Sequence, residues 1–150
     1  MPQSLAKIHL HLVFSTRNRE RMLADEDRTE LHAYMGGILK GMDCMPIEIN
    51  TEPDHVHVLF MLGRSVAVSE VVAGLKKSAT DWLRARSPKY AGFHWQSGYG
   101  VFSVGRSAVE TVRKYIRNQR EHHQGKPFMN EYRTMLEKHE IEYDERYVWE

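Results

Sequence analysis

His55-Val56-His57-Val58-Leu59-Phe60-Met61-Leu62 divides its side chains into two alternating sets. In an extended chain Val56, Val58, Phe60 and Leu62 fall on one face, and His55, His57, Leu59 and Met61 on the other. The run reads as a strand with one face buried. Upstream, Glu52-Pro53-Asp54 supplies a tight turn and residues 45–51 a second strand-compatible run, so the two pair as a hairpin. Residues 7–15 alternate in the same way, with Ile8, Leu10, Leu12 and Phe14 against His9, His11 and Val13. Between these strands, Asp25 opens a helical stretch to about Met42, with Leu31, Tyr34, Met35, Ile38, Leu39 and Met42 as its stripe. Gly36-Gly37 weakens that helix, because glycine costs about 1 kcal/mol in a helix interior. Ser69 caps a second helix to about Arg86, and Gly100–Val104 forms a short last strand.

The order β-α-β-β-α-β predicts an α+β chain of ferredoxin-like type. That fold is an antiparallel sheet with two helices on one face, leaving the other face for a ligand, a partner or further helices. Ser107-Ala108-Val109-Glu110 has the spacing of a capping box and opens a third helix to about His123, ended by Gly125. Pro127 opens a fourth, to about His139. The tail Glu142–Glu150 is acidic and aromatic and maps onto no element.

The 150 residues fit one domain with one core. The apolar fraction of 41% is low but periodic, which favours a folded chain over a disordered one. No run of about 18 apolar residues is available to span a membrane. The N-terminus lacks a basic segment followed by a long apolar one, so a cytoplasmic location is expected. A lone Cys44 excludes an internal disulfide and a zinc site built on several cysteines. The net charge of +1 does not announce a nucleic-acid binder, but the basic residues are clustered. Arg17, Arg19 and Arg21 follow the first strand, Lys76 and Lys77 sit together, and Arg113, Lys114, Arg117 and Arg120 surround Tyr115. Such clusters suit phosphate binding where they coincide with a chemical site. Taken singly, each also fits a solvated helix face.

Two features carry chemistry. On a strand His55 and His57 project from one face, so both imidazoles can reach a single cation. Two nitrogens and one oxygen ligand leave coordination positions open for phosphate oxygens and water. Alone, the pair also fits two histidines on a solvated sheet face. His9-Leu10-His11 repeats the spacing, and the first and third strands of a ferredoxin-like sheet are neighbours. The second feature is Tyr115-Ile116-Arg117-Asn118-Gln119, whose four-residue separation puts Tyr115 and Gln119 on one helix face. A phenol with an ordinary pKa near 10 is a poor nucleophile until cationic surroundings favour the phenolate. Arg113, Arg117 and a nearby divalent ion are the candidates for that task.

The His55-Val56-His57 strand, the Trp95…Gly98-Tyr99 segment and the Tyr115…Gln119 helix together resemble the single-tyrosine HUH transposases, the small enzymes of insertion sequences that move as single-stranded DNA. The resemblance covers roughly residues 5–125 and keeps the motif order. It implies that His55, His57 and Gln119 hold Mg²⁺ or Mn²⁺, and that Tyr115 attacks a DNA phosphodiester to give a 5′-phosphotyrosine and a free 3′-hydroxyl. It further implies hairpin-bearing single-stranded DNA as substrate, with Arg17, Arg19, Lys76, Lys77, Arg113, Arg117 and Arg120 as candidate phosphate contacts. It implies a homodimer whose sites combine the histidines of one subunit with the tyrosine helix of the other. Domesticated relatives acting on chromosomal repeat hairpins carry the same pattern.

Two other functions compete on sequence. A ferredoxin-like sheet can bind single-stranded RNA without catalysis, but its stacking aromatics are missing from the inner strands. A phosphoesterase with two His-x-Ser/Thr motifs would need hydroxyls where this chain has His9-Leu10-His11 and His55-Val56-His57.

Overall fold

The computed structural model describes residues 2–122 and 127–150. The strands are β1 (His9–Ser15), β2 (Met45–Glu52), β3 (His55–Met61) and β4 (Gly100–Val104), in the spatial order β2-β3-β1-β4. Every neighbouring pair is antiparallel. This is the expected ferredoxin-like sheet. Glu52 pairs with His55, so Pro53 and Asp54 alone make the hairpin turn.

α1 (Arg28–Gly41) and α2 (Val68–Arg86) cover one face of the sheet. Leu10, Leu12 and Phe14 of β1 and Val56, Val58 and Phe60 of β3 meet Leu31, Met35, Leu39, Val71, Leu75, Ala79 and Leu83 there in one buried cluster. α1 runs unbroken through Gly36-Gly37 because Leu31, Met35 and Leu39 anchor both sides of the pair. Its start differs slightly from expectation. A 3-10 turn, Asp25–Asp27, precedes it, and Asp27 is buried beneath the Tyr90 hydroxyl and Arg86. Ser69 is not the cap of α2; Ala67 holds that position without a side-chain bond.

β2 changes face partway along. Its register with β3 shifts between Pro46 and Glu48, leaving Ile47 as an extra residue. Proline is tolerated there because β2 is an edge strand. Beyond the shift Glu48, Asn50 and Glu52 stand opposite Leu59, His57 and His55. Three polar residues thus line the histidine face of the sheet.

That face is covered rather than open. α3 (Val109–Arg117) lies over β2 and β3, and α4 (Gln119–His122) follows after Asn118. The expected single helix to about His123 therefore breaks at Asn118, and the capping box does not form: Ala108 is the N-cap, with no side-chain bond. The ends assigned to His123 and Gly125 fall outside the described residues. α5 (Phe128–Lys138) starts after Pro127 and brings Phe128, Tyr132 and Leu136 onto Val13 and Phe102. Tyr143, Val148 and Trp149 of the tail pack against this second cluster, and the Glu150 carbonyl accepts from the Gly98 amide at 2.8 Å. No described helix is long and apolar enough to cross a membrane.

At Gly100 α5 packs tightly on the sheet. A Cβ there would lie 2.7 Å from Tyr132 Oη and 2.8 Å from its Cε1. The Tyr132 ring cannot easily retreat, held by Phe128 on one side and Trp149 on the other. Gly100→Ala is expected to cost about 1–3 kcal/mol by overpacking. Thermal unfolding reads this as a fall of roughly 2–4 °C per kcal/mol for a chain of this size.

Candidate active site

The register sets the site. His57 of β3 stands opposite Val13 of β1, and Ser15 opposite His55, so both histidines lie at the end of the sheet where β1 finishes. Both are about 1% exposed. His55 Nδ1 donates to Asp54 Oδ1 at 2.7 Å, and its ring stacks on Phe128 at 4.3 Å. His57 Nδ1 lies 2.8 Å from His11 Nε2, while its Nε2 lies 2.8 Å from Glu131 Oε1. One donor atom from each of His55, His57 and Glu131 falls within 4.8 Å of the others. Glu131 was missed in the sequence. The only signal was its place three residues after Phe128 on the face of α5 that carries Tyr132 and Leu136.

Tyr115 arrives from the other side. Its ring lies 6.0 Å from His57 and 6.4 Å from His11, edge to face in both cases. Its phenol is hydrogen-bonded to Gln119 and Glu131, and burial, then the Glu131 charge, push its pKa well above the ordinary phenol value. Gln119 is buried, and its Oε1 has no hydrogen-bond partner among the described residues. The break at Asn118 leaves the pair together, since Gln119 Nε2 donates to the Tyr115 carbonyl at 3.4 Å.

β2 fastens the tyrosine helix to the sheet. Asn50 Nδ2 donates to the Ile116 carbonyl at 2.7 Å, while Arg113 and Arg117 each reach Glu48 Oε1 at 3.1 Å. The guanidiniums expected to favour the phenolate also pair with β2, where the register shift puts Glu48 on this face.

The other candidate phosphate contacts are distributed unevenly. Arg120 pairs with Asp25 and lies 3.8 Å from Glu52. Lys76 Nζ donates to the carbonyls of Gln96, Ser97 and Gly98, and burial lowers its pKa to about 8. Lys77 is exposed and bridges to Asp81 within its own helix at 3.1 Å. Arg19 lies over the Trp149 ring, and Arg17 is exposed beside it at the His55 end of the sheet. Of the second histidine pair only His11 joins the site. Burial, then His57, lower its pKa to about 3. His9 stands at the far end of β1, opposite Met61 and Val104.

All these groups belong to one subunit. The connection from β4 to α3 is a 3-10 turn, Arg106–Ala108, so the tyrosine helix folds back over its own sheet. Tyr115 thereby meets the histidines of its own chain.

The donor set fits a divalent cation. Two imidazoles with a carboxylate and a buried amide oxygen offer the mixed N/O shell that Mn²⁺ or Mg²⁺ accepts. The 2.8 Å between His57 Nε2 and Glu131 Oε1 is close to the roughly 3 Å between adjacent donors in an octahedral shell of about 2.1 Å radius.

Residues 4–119 match the protein family described as "Transposase IS200 like". The ISDra2 transposase TnpA of Deinococcus radiodurans is 23% identical over 118 residues, covering 75% of this chain and 84% of that protein. A crystal structure of a Deinococcus radiodurans transposase superposes with a TM-score of 0.61 at 23% identity, over 79% of this chain and 98% of that one. A REP-associated tyrosine transposase bound to a REP hairpin superposes with a TM-score of 0.63 at 15% identity, over 83% of this chain and 73% of that one. At these identities the superpositions speak for the fold.

Proposed function

We propose, for a chain that belongs to the IS200-like transposase family, that it cleaves and rejoins hairpin-bearing single-stranded DNA through a 5′-phosphotyrosine on Tyr115. The observation that carries this reading is the meeting of Tyr115 with His57, Gln119 and Glu131 in one buried cluster. In the cleavage step Tyr115 Oη bonds to phosphorus in line with the departing 3′-oxygen, and that oxygen takes a proton from water to leave as a 3′-hydroxyl. The Glu131 carboxylate, hydrogen-bonded to the phenol, is the acceptor for the Tyr115 proton. Rejoining reverses the step, with a 3′-hydroxyl attacking the phosphotyrosine, so no external energy is consumed. His55, His57 and Gln119, with Glu131 as a further oxygen donor, would hold a Mg²⁺ or Mn²⁺ ion, which when bound would supply positive charge to the scissile phosphate. Phe128 against His55 and the tail behind α5 keep that corner of the sheet dry. Arg17 and Arg19, at the same end, are the first contacts we assign to the DNA backbone.

The homodimer that the resemblance implies is compatible with this chemistry but is not required by it. The covered histidine face disfavours the non-catalytic alternative, because a single-strand platform needs an open sheet with stacking aromatics.

The test is incubation with a labelled REP-type hairpin carrying single-stranded flanks, in Mn²⁺ and in Mg²⁺, followed by mass-spectrometric mapping. A nucleotide adduct on the Tyr115 peptide is expected. No adduct with either metal, or one on another residue, overturns the assignment.

A further inference from the structure

The Nδ1 atoms of both candidate metal histidines have partners of their own. His55 Nδ1 bonds the Asp54 carboxylate at 2.7 Å, and His57 Nδ1 meets His11 Nε2 at 2.8 Å. In each ring Nδ1 is thereby engaged, which leaves coordination of an ion to Nε2, the His57 atom that also lies 2.8 Å from Glu131 Oε1. We propose that Asp54 and His11 are positioning residues that fix the tautomer and orientation of His55 and His57, and so set the affinity of the cation site. This rests on the metal reading above.

The two supports differ in chemistry. Asp54 comes from the hairpin turn, directly before β3, and its carbonyl accepts from the Thr16 amide at 2.9 Å. The turn is therefore tied to the end of β1, and the carboxylate is held in place. Its charge makes a strong acceptor for an imidazole N–H and raises the basicity of the coordinating nitrogen.

His11 is a buried neighbour on β1, 6% exposed, with its ring stacked on His57 at a centroid distance of 5.1 Å. It stands opposite Leu59 rather than His57, so it reaches His57 diagonally across the sheet. Phe102 closes its other side, edge to face at 6.1 Å. When His57 coordinates through Nε2, its Nδ1 must carry the proton, and His11 Nε2 must accept it. His11 then acts as a neutral acceptor, a weaker version of what Asp54 does for His55. The same geometry explains why the His9-Leu10-His11 pair has one working member: only His11 faces the ligand strand at this end of the sheet.

The experiment titrates full-length protein with Mn²⁺ and follows the loss of the free-ion electron paramagnetic resonance signal. Wild type, Asp54→Ala, His11→Phe and His11→Gln are compared, with circular dichroism to confirm folding. Asp54→Ala and His11→Phe are expected to weaken Mn²⁺ binding by about 10- to 100-fold, the range for loss of a hydrogen-bond support behind a ligand. His11→Gln retains an acceptor oxygen and is expected to stay within about threefold of wild type. Unchanged affinity in both Asp54→Ala and His11→Phe overturns the proposal. Equal losses in His11→Gln and His11→Phe also overturn it for His11, because packing alone then explains the effect. Should His11→Phe not fold, His11→Gln and Asp54→Ala decide alone: near-wild-type affinity in the first with a loss in the second supports the proposal, and any other pair overturns it. If wild type binds no Mn²⁺, the underlying metal reading fails instead, which is a different result.

Discussion

Tyr115→Phe is expected to abolish the covalent protein–DNA adduct, a loss of at least about a thousandfold, while hairpin binding changes by less than about twofold. The substitution removes one oxygen and keeps the ring, whose edge contacts with His57 and His11 are made through carbon. The removed hydroxyl is hydrogen-bonded to Gln119 and Glu131, so a small stability loss of about 1–2 kcal/mol accompanies the change. Tyr132 is buried on Val13 and Phe102, with burial raising its pKa to about 12. Tyr99 and Tyr147 are exposed, outside the histidine cluster. A denaturing gel with end-labelled hairpin DNA reads the outcome, and an adduct that persists in Tyr115→Phe refutes the nucleophile.

Sequence alternation carried most of the fold because the face of β3 that packs on α1 and α2 is wholly apolar while the histidines share the other. Val56, Val58 and Phe60 face α1 and α2, while His55 and His57 face the other way, as period two requires. The helix starts were less legible. Ser69 and Ser107 are good capping residues, yet neither caps: α2 begins one residue before Ser69, and a 3-10 turn takes up Ser107. The cost of a missing side-chain cap is about 1 kcal/mol, which packing of Val71, Leu75 and Ile116 readily exceeds.

In the site, the histidine pair and Tyr115–Gln119 were visible because strand and helix spacing fix which side chains share a face. Glu131 was not, since its contact with His57 joins α5 to β3, elements far apart in the chain, and leaves no local periodic trace. The pairing of Arg113 and Arg117 with Glu48 was hidden for a related reason. A one-residue bulge near Pro46 reverses the faces of β2, and no hydrophobic pattern in Met45–Glu52 announces it. Asp54 read as a turn former, which it is. Its second role as the carboxylate behind His55 depends on the hairpin being only two residues long.

His57→Ala should produce the other large effect. Strand-transfer activity at a fixed, subsaturating Mn²⁺ concentration is expected to fall by more than about a hundredfold, because losing a ligand exceeds the roughly 10- to 100-fold cost of losing a support behind one. A second consequence follows from the partners left behind. His57 joins His11 Nε2 on one side and Glu131 Oε1 on the other, and Glu131 is only 11% exposed. Alanine takes one partner from a nearly buried carboxylate, which keeps its bond to Tyr115, so metal-free stability should fall by about 1–3 kcal/mol. Adding Glu131→Gln to His57→Ala removes that charge and should recover part of the stability without restoring activity. The double-mutant cycle thereby separates the two roles of His57. Full activity in His57→Ala would remove it from the metal site, and strictly additive stability losses would deny its coupling to Glu131.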